Sequence, residues 1–454
     1  MAIRRILIAN RGEIALRVIR TCERLGIETV LAASKADLGS LPARRATRTV
    51  CIGPAPAAQS YLSVPTIVQA ALGAGCDAIH PGYGFLSERA ELARLCEQEK
   101  VTFIGPTAQQ IEAVGDKLRA RAEAVAAGVP VVPGGPASSL AEAVNLGREI
   151  GAPLLVKAVG GGGGRGMKRV DDLAQLEEVL ALASAEAEAA FGDGRVYLER
   201  FVGRGRHVEL QVLGDGEGRV IHLGERDCSV QRRYQKLIEE TPAPGLSEAL
   251  VSELREAGVR FAKHLNYRGA GTVEFLVDAD RGEFYFLEMN ARIQVEHPVT
   301  EAVSGIDLVE QQIRIAEGHG LSLRQEDLRL EGAAIECRIN AEDPARDFAP
   351  SPGIVRQAVW PGGEGIRVDT HIGSGSAVPP FYDSLMAKII AHGSTRAEAL
   401  GRLCVALAAT HVEGVATNLA FHRHVLADPE FIAGGVDTAY LTRLAARDPA
   451  LLEG

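Results

Sequence analysis

The chain has 454 residues, 46% hydrophobic and 24% charged, so two to four domains with ordinary globular cores are expected. Its 49 basic residues against 59 acidic ones leave a formal charge of −10, which argues against general nucleic-acid binding. Seven scattered cysteines without a CxxC pair fit reduced thiols rather than disulfides or a zinc site, and no apolar run is long enough for a signal peptide or a membrane span, so a cytoplasmic protein is expected.

Residues 6–9 read as a short apolar strand that Asn10-Arg11-Gly12 turns. Residues 13–25 form an amphipathic helix with Ile14, Val18, Cys22 and Leu25 on one face and Gly26 as its stop. A strand resumes at 29–33, and the alternation continues through 78–80 and 103–105. That order describes a parallel α/β unit of Rossmann type ending near Gly115, followed by a helix over about residues 117–127.

The next stretch, VKAVGGGGGRGMKRV at 156–170, sets five consecutive glycines between two apolar segments that carry Lys157 and Lys168. A slack linker would be polar on both flanks, so a glycine-rich hairpin is expected. Gly161, Gly163 and Gly166 fit the spacing of the dinucleotide fingerprint, but that fingerprint must open a helix, and here a strand is expected. A Walker A loop fails as well, because Met167 follows Gly166 where lysine is required. Two readings remain: a tip whose amides approach phosphate oxygens with no Cβ in the way, or a loop that is merely flexible. Residues 186–190 read as helix, and from Val196 the pattern changes to hairpins, VYLERFV, HVELQVLG, RVIHLGE, GTVEFLVD and EFYFLEMN.

Residues 271–277 and 284–290 flank a polar turn. A hairpin symmetric about Arg281 sets Glu274 opposite Glu288, with Asn290 on the same face. Val273, Phe275, Leu287 and Met289 then mark the other face as core. Facing carboxylates repel, and one protonates unless a cation intervenes; oxygen ligands of this kind suit Mg²⁺ or Mn²⁺ bridging phosphates. The alternative is two acids on a solvated sheet face. Downstream, Arg292, Gln294 and Glu296 alternate with Ile293 and Val295. A cation, an amide and a carboxylate in a row suit a small anionic substrate and a general base. Arg338 lies on a later strand, AIECRIN, that opens a C-terminal region of short strands and one helix at about 395–408.

Five stretches, HPGYGFLSE (80–88), KAVGGGGGRGM (157–167), ERDCSVQRRYQK (225–236), EMNARIQVEHPVTE (288–301) and ECRINAEDP (336–344), together resemble the biotin carboxylase branch of the ATP-grasp enzymes. The similarity runs over about residues 3–441. It implies a mixed α/β chain with an ATP-grasp fold: an N-terminal Rossmann-like biotin carboxylase domain over 1–115, an ATP-grasp domain over 116–330 with a glycine-rich lid at about 131–203, and a C-terminal biotin carboxylase domain over 331–445. It also implies the reaction, in which ATP, bicarbonate and carrier-bound biotin give carboxybiotin, ADP and phosphate through carboxyphosphate.

By motif, the resemblance implies that Lys117 and Lys157 meet the ATP phosphates with Gly163 and Gly164 closing over them. Glu199, Arg200, Phe201 and Val202 would hold the adenine edge and His207 the ribose side, with Gln231 and Tyr234 also in the ATP-binding set. Glu274, Glu288 and Asn290 would hold magnesium or manganese. Lys236, Arg292, Gln294 and the Val295 amide would hold bicarbonate, and Glu296 would deprotonate it. Arg338 would stabilise the biotin enolate with Tyr83 near the ring, so that Lys236, Arg292, Glu296 and Arg338 form the catalytic set.

Two residues depart from the family pattern. Tyr234 replaces a histidine; a phenol hydrogen-bonds but cannot become cationic, so either a nucleotide contact changes or the swap is tolerated. Glu364 stands where relatives often carry an aromatic at a subunit contact, so a homodimer is left open. No A-M-K-M-like biotin attachment turn is present. Met386-Ala387-Lys388 comes near it, but lies in the apolar stretch SLMAKIIAH and reads as a buried strand. Biotin is therefore expected on a separate carrier protein, with a carboxyltransferase as a further partner and no nucleic acid or membrane. The expected system is a multi-subunit acyl-CoA carboxylase, foremost the acetyl-CoA carboxylase of fatty acid biosynthesis. A two-subunit pyruvate or propionyl-CoA carboxylase and a non-biotin ATP-grasp ligase are the alternatives.

Overall fold

The computed structural model describes residues 2–137, 139–158, 167–448 and 451. Gly163 and Gly164 lie outside the described residues. Five short strands open the chain: β1 (Arg5–Ile8), β2 (Glu28–Ala33), β3 (Arg48–Cys51), β4 (Ala78–His80) and β5 (Thr102–Phe103). All pair in parallel, in the order β3-β2-β1-β4-β5. Their near-continuous apolar sequences fit a sheet covered by helices on both faces. The helix Gly12–Leu25 follows β1 and stops at Gly26, which adopts the left-handed conformation, as the sequence indicates.

The strand order reverses direction between β1 and β4, where the loops after both strands leave a crevice at their carboxyl ends. Asn10 closes the floor of that crevice by donating to the carbonyls of Pro81 and Tyr83, both at 2.7 Å. Gly82 is required there: its φ is +62° and a Cβ would lie 2.9 Å from the Asn10 amide nitrogen.

A second sheet is small and antiparallel. It comprises β6 (Gly134–Pro136), β7 (Leu154–Ala158), β8 (Met167–Val170) and β9 (Val196–Arg200), in the order β6-β9-β7-β8. The glycine-rich segment joins β7 to β8, with Val156 opposite Lys168, so a strand rather than a helix follows the glycines. The helices Leu140–Ile150 and Leu176–Phe191 accompany this sheet, whose core holds Leu154, Val156, Val170, Leu180 and Leu198.

The third sheet is the largest, and three two-stranded sheets within residues 342–413 accompany it. It begins with β10 (Gly205–Asp215), β11 (Val220–Arg232), β12 (Gln235–Thr241), β13 (Arg268–Asp278), β14 (Glu283–Asn290) and β15 (Ala333–Asn340). These strands run in the order β14-β13-β10-β11-β12-β15 and continue into Leu385–Gly393 and then Ile366–Thr370, eight strands in all. The C-terminal region differs from the expectation of one helix. Besides Arg396–Ala409 it contains Leu419–Ala427, Pro429–Ala433 and Tyr440–Arg447. These have nine, five and eight residues, too few turns for a hydrophobic period to stand out, yet Phe421, Val425, Phe431, Tyr440 and Leu444 anchor them in the core.

Candidate active site

A cleft of about 1370 Å³ lies between the three sheets, and all the described residues assigned to a site by sequence line it, from Tyr83 and Lys117 through Lys236 and Glu288 to Arg338. On the β13–β14 hairpin, Glu274 pairs directly with Glu288 and Thr272 with Asn290, so the three expected metal ligands share one face. The register slips by one residue beyond Glu274, where Phe275 faces Phe286. Leu287 is the extra residue of this bulge, and it lines the cleft half-buried instead of pointing into the core as its alternation indicates.

The electrostatics of the pair are unequal. Burial works to raise the Glu274 carboxyl, but Lys236 and His207 beside it hold it well below the usual range. Burial and then the facing Glu274 push the Glu288 carboxyl up. This is the conflict of two facing acids, and a dication would relieve it. Glu274 Oε1 accepts from Lys236 Nζ at 2.9 Å, Asn290 Nδ2 at 2.9 Å and Gln294 Nε2 at 2.8 Å, while its Oε2 lies 2.8 Å from His207 Nε2. Among the described residues, His207, Glu209 and Glu274, and Glu209, Cys228 and Glu296, each bring three ligand atoms within 4.8 Å of one another. The Lys236 ammonium contacts a carboxylate in each group, so their charge is already met.

Lys236 is the hub. Its Nζ lies 2.6 Å from Glu209, 2.9 Å from Glu274 and 2.8 Å from Glu296. Burial disfavours the ammonium, yet the three acids hold its pKa well above the ordinary lysine value. Glu296 in turn receives Arg338 Nη2 at 2.9 Å. Burial opposes its ionisation, but Lys236, Arg338 and Arg226 hold its carboxyl far below the usual range. Arg338 also donates through Nε to Glu239 at 2.6 Å, whose carboxyl burial pushes up to about 7. Arg292 is fixed by Glu88 at 2.7 Å and by Asn290 Oδ1 at 2.6 Å.

On the second sheet, Lys157 from β7 pairs with Glu199 from β9, so the Glu199 carboxylate faces the lysine. Arg200 lies over the Tyr285 ring, and Phe201 lies under the Arg169 guanidinium. Lys117 opens the helix Lys117–Ala126, Val202 lines the cleft, and Gln231 on β11 lies directly opposite Lys236 of β12. Tyr234 and Arg233 form the two-residue turn between β11 and β12, both with positive φ, the geometry of a type I′ hairpin. The Tyr234 ring is 58% exposed at the cleft edge. Tyr83 sits at the crevice of the first sheet, with its hydroxyl on Glu13.

Sequence reasoning missed Glu209, Arg226, Glu239 and Glu88. Arg226 is fully buried and donates to Glu209, Gln211, Thr300, Thr272 and Gln294, so it braces the floor beneath Lys236. The signal was present in HVELQVLG, whose Glu209 and Gln211 alternate with Val208, Leu210 and Val212.

Comparison with known proteins places this architecture. Residues 116–324 match the family model described as the ATP binding domain of the carbamoyl-phosphate synthase L chain, which makes the chain an ATP-grasp enzyme. Residues 2–111 match the biotin carboxylase N-terminal domain and residues 336–443 the biotin carboxylase C-terminal domain. The biotin carboxylase of Pseudomonas aeruginosa is 52% identical over 447 residues, covering 98% of this chain and 99% of that protein. The crystal structure of the Campylobacter jejuni biotin carboxylase–β-γ-ATP complex superposes with a TM-score of 0.93 at 45% identity, over 97% of this chain and 99% of that one. The biotin carboxylase domain dimer of Hydrogenobacter thermophilus 2-oxoglutarate carboxylase, in complex with MgADP, ADP and bicarbonate, gives 0.92 at 44% identity over 100% and 99%. The chain belongs to the biotin carboxylase family. Its activity is the ATP-dependent carboxylation of biotin.

Proposed function

We propose that the cleft carries out this reaction with the residues described, on biotin borne by a carrier protein in the cytoplasm, as the first half-reaction of an acetyl-CoA carboxylase with a separate carboxyltransferase. The chain divides for this purpose at about residues 115 and 330, with residues 131–203 as the cover. The reading is supported above all by one continuous chain of contacts, Glu274–Lys236–Glu296–Arg338, which sets metal-binding acids, an anion site, a base and a second cation side by side.

Lys117, Lys157 and the glycine-rich segment hold the ATP phosphates, with Glu199, Arg200, Phe201 and Val202 along the adenine edge, and His207, Gln231 and Tyr234 nearby. Glu274, Glu288 and Asn290 fit magnesium, because their donor atoms are hard oxygens and the raised Glu288 carboxyl marks unmet negative charge. Magnesium bound there would neutralise charge on the β- and γ-phosphates.

Bicarbonate enters between Lys236, Arg292, Gln294 and the Val295 amide. Its negative charge then faces Glu296. At about 4 Å and an effective dielectric near 20, two like charges interact by about 4 kcal/mol, equivalent to about three pH units. Bicarbonate thus raises the proton affinity of a carboxylate that the resting site keeps ionised. Glu296 takes the bicarbonate proton, the freed oxygen attacks the γ-phosphorus, and the bond to ADP breaks. Carboxyphosphate gives up CO₂, the released phosphate takes the ureido proton of biotin, and the ureido nitrogen attacks CO₂. Arg338 holds the negative ureido oxygen meanwhile, and Tyr83 backs the ring. The cover excludes water during the life of the labile carboxyphosphate.

The test is ADP release that depends on both bicarbonate and biotin. Glu296→Ala and Arg338→Ala are expected to abolish it, and full turnover in both variants would reject these roles.

A further inference from the structure

Lys388 is left unused by the chemistry above. It sits on the strand Leu385–Gly393, directly opposite Arg338 of β15, and its side chain is wholly buried. A lysine in such surroundings must have partners for its charge and its donors. Lys388 Nζ donates to the carbonyl of Val295 at 2.7 Å and lies 3.2 Å from Glu13 Oε1. The same Glu13 oxygen accepts from the hydroxyl of Tyr83.

Three parts of the molecule therefore meet at one ammonium. Glu13 and Tyr83 come from the crevice of the first sheet, and Lys388 comes from the far end of the third. The Val295 carbonyl belongs to the peptide that carries Glu296. That peptide needs holding, because residues 293–296 have no regular structure and Glu296 has φ −81° and ψ 8°, a sparsely populated region. Burial holds the Glu13 carboxyl above its usual value, and Lys388 works against this.

We propose that Lys388 and Glu13 form a positioning pair: through Val295 they fix the backbone of the Glu296 base, and through Tyr83 they fix the biotin-facing wall, so that the two acceptors of the reaction are held at one spacing. This rests on the assignment of Glu296 and Tyr83 made above. Neither Lys388 nor Glu13 touches a reacting atom in this scheme. Their removal should spoil alignment rather than nucleotide binding.

Steady-state kinetics on the full-length Lys388→Met, Glu13→Gln and double variants tests this. Lys388→Met is expected to lower kcat at least 30-fold and raise the KM values for bicarbonate and free biotin at least fivefold, with KM for ATP within twofold of the parent. The double variant should be no worse than Lys388→Met alone, because a unit broken once has little left to lose. A general loss of folded enzyme would lower kcat and leave all three KM values alone, and that result overturns the proposal. So would an equal rise in KM for ATP, or additive losses in the double variant. If Lys388→Met fails to fold, Glu13→Gln decides: unchanged KM for biotin and bicarbonate overturns the inference, and a fivefold rise sustains it. Glu296→Ala is run alongside. An active Glu296→Ala enzyme removes the underlying site assignment, whereas an inactive one beside a normal Lys388→Met removes only the positioning pair.

Discussion

Glu288→Gln should make the metal-free protein more stable while disabling it. The side chain faces Glu274 directly across the β13–β14 hairpin, where opposed Cβ atoms lie about 5 Å apart. Two charges about 5 Å apart at an effective dielectric near 20 repel by about 3 kcal/mol. Glu288 is only half-buried, so solvent screening reduces this to about 1–2 kcal/mol. The sign follows from linkage. Burial and Glu274 raise the folded pKa of Glu288, so the group destabilises the fold above its unfolded value near about 4.3, and the penalty fades as pH falls toward that value. In EDTA at pH 8, a thermal melt of Glu288→Gln is therefore expected to rise by about 1–3 °C, given the small shift per kcal/mol in a chain this long. The gain should vanish near about pH 4. Magnesium-dependent ADP release should fall about 100-fold or more if Glu288 holds the metal as proposed. A midpoint at pH 8 equal to or below the parent's, or a gain that persists unchanged to low pH, would refute the reasoning.

Arg226→Met removes one partner of a fully buried ion pair and leaves Glu209 short of a cation; chemical denaturation should show a loss of about 3–5 kcal/mol, with activity falling because Gln294 also loses its brace. Tyr234→His changes an exposed turn residue in a backbone that either side chain must strain to adopt. KM for ATP is expected to stay within threefold and the melting midpoint within about 1 °C; a tenfold change in KM would show that the ring at this position contacts the nucleotide.

The hairpin shows how far the sequence can be read. A polar turn between two alternating strands is enough to pair Glu274 with Glu288, because a period of two and a symmetric loop leave one register. The bulge at Leu287 was not legible: one inserted residue leaves the alternation intact on each side of it, and only the partner strand reveals the slip. The support for the site was hidden for a related reason. Glu209 could be seen as a polar residue on an apolar strand, but its partner Arg226 lies on the next strand across a bulge of its own, and no local period links them. The apolar run SLMAKIIAH places Lys388 on a buried strand, as it is; that it reaches Val295, 93 residues away in sequence, depends on a crossing that composition does not record. The three short C-terminal helices were missed because residues 419–447 carry too few turns between breaks at Pro429 and Gly434.

The eight-stranded sheet joins β14 to Leu385–Gly393 through neighbouring strands that all pair, with bulges along the way. Glu274 and Arg338 are thus fastened to a single plate, and bending that parted the two side chains would strain ladder hydrogen bonds between β13 and β15. Deletion from residue 331 onward would bare the edge of β12 and invite strand addition by a second molecule. A chain cut at residue 330 is therefore expected to precipitate unless another strand caps that edge.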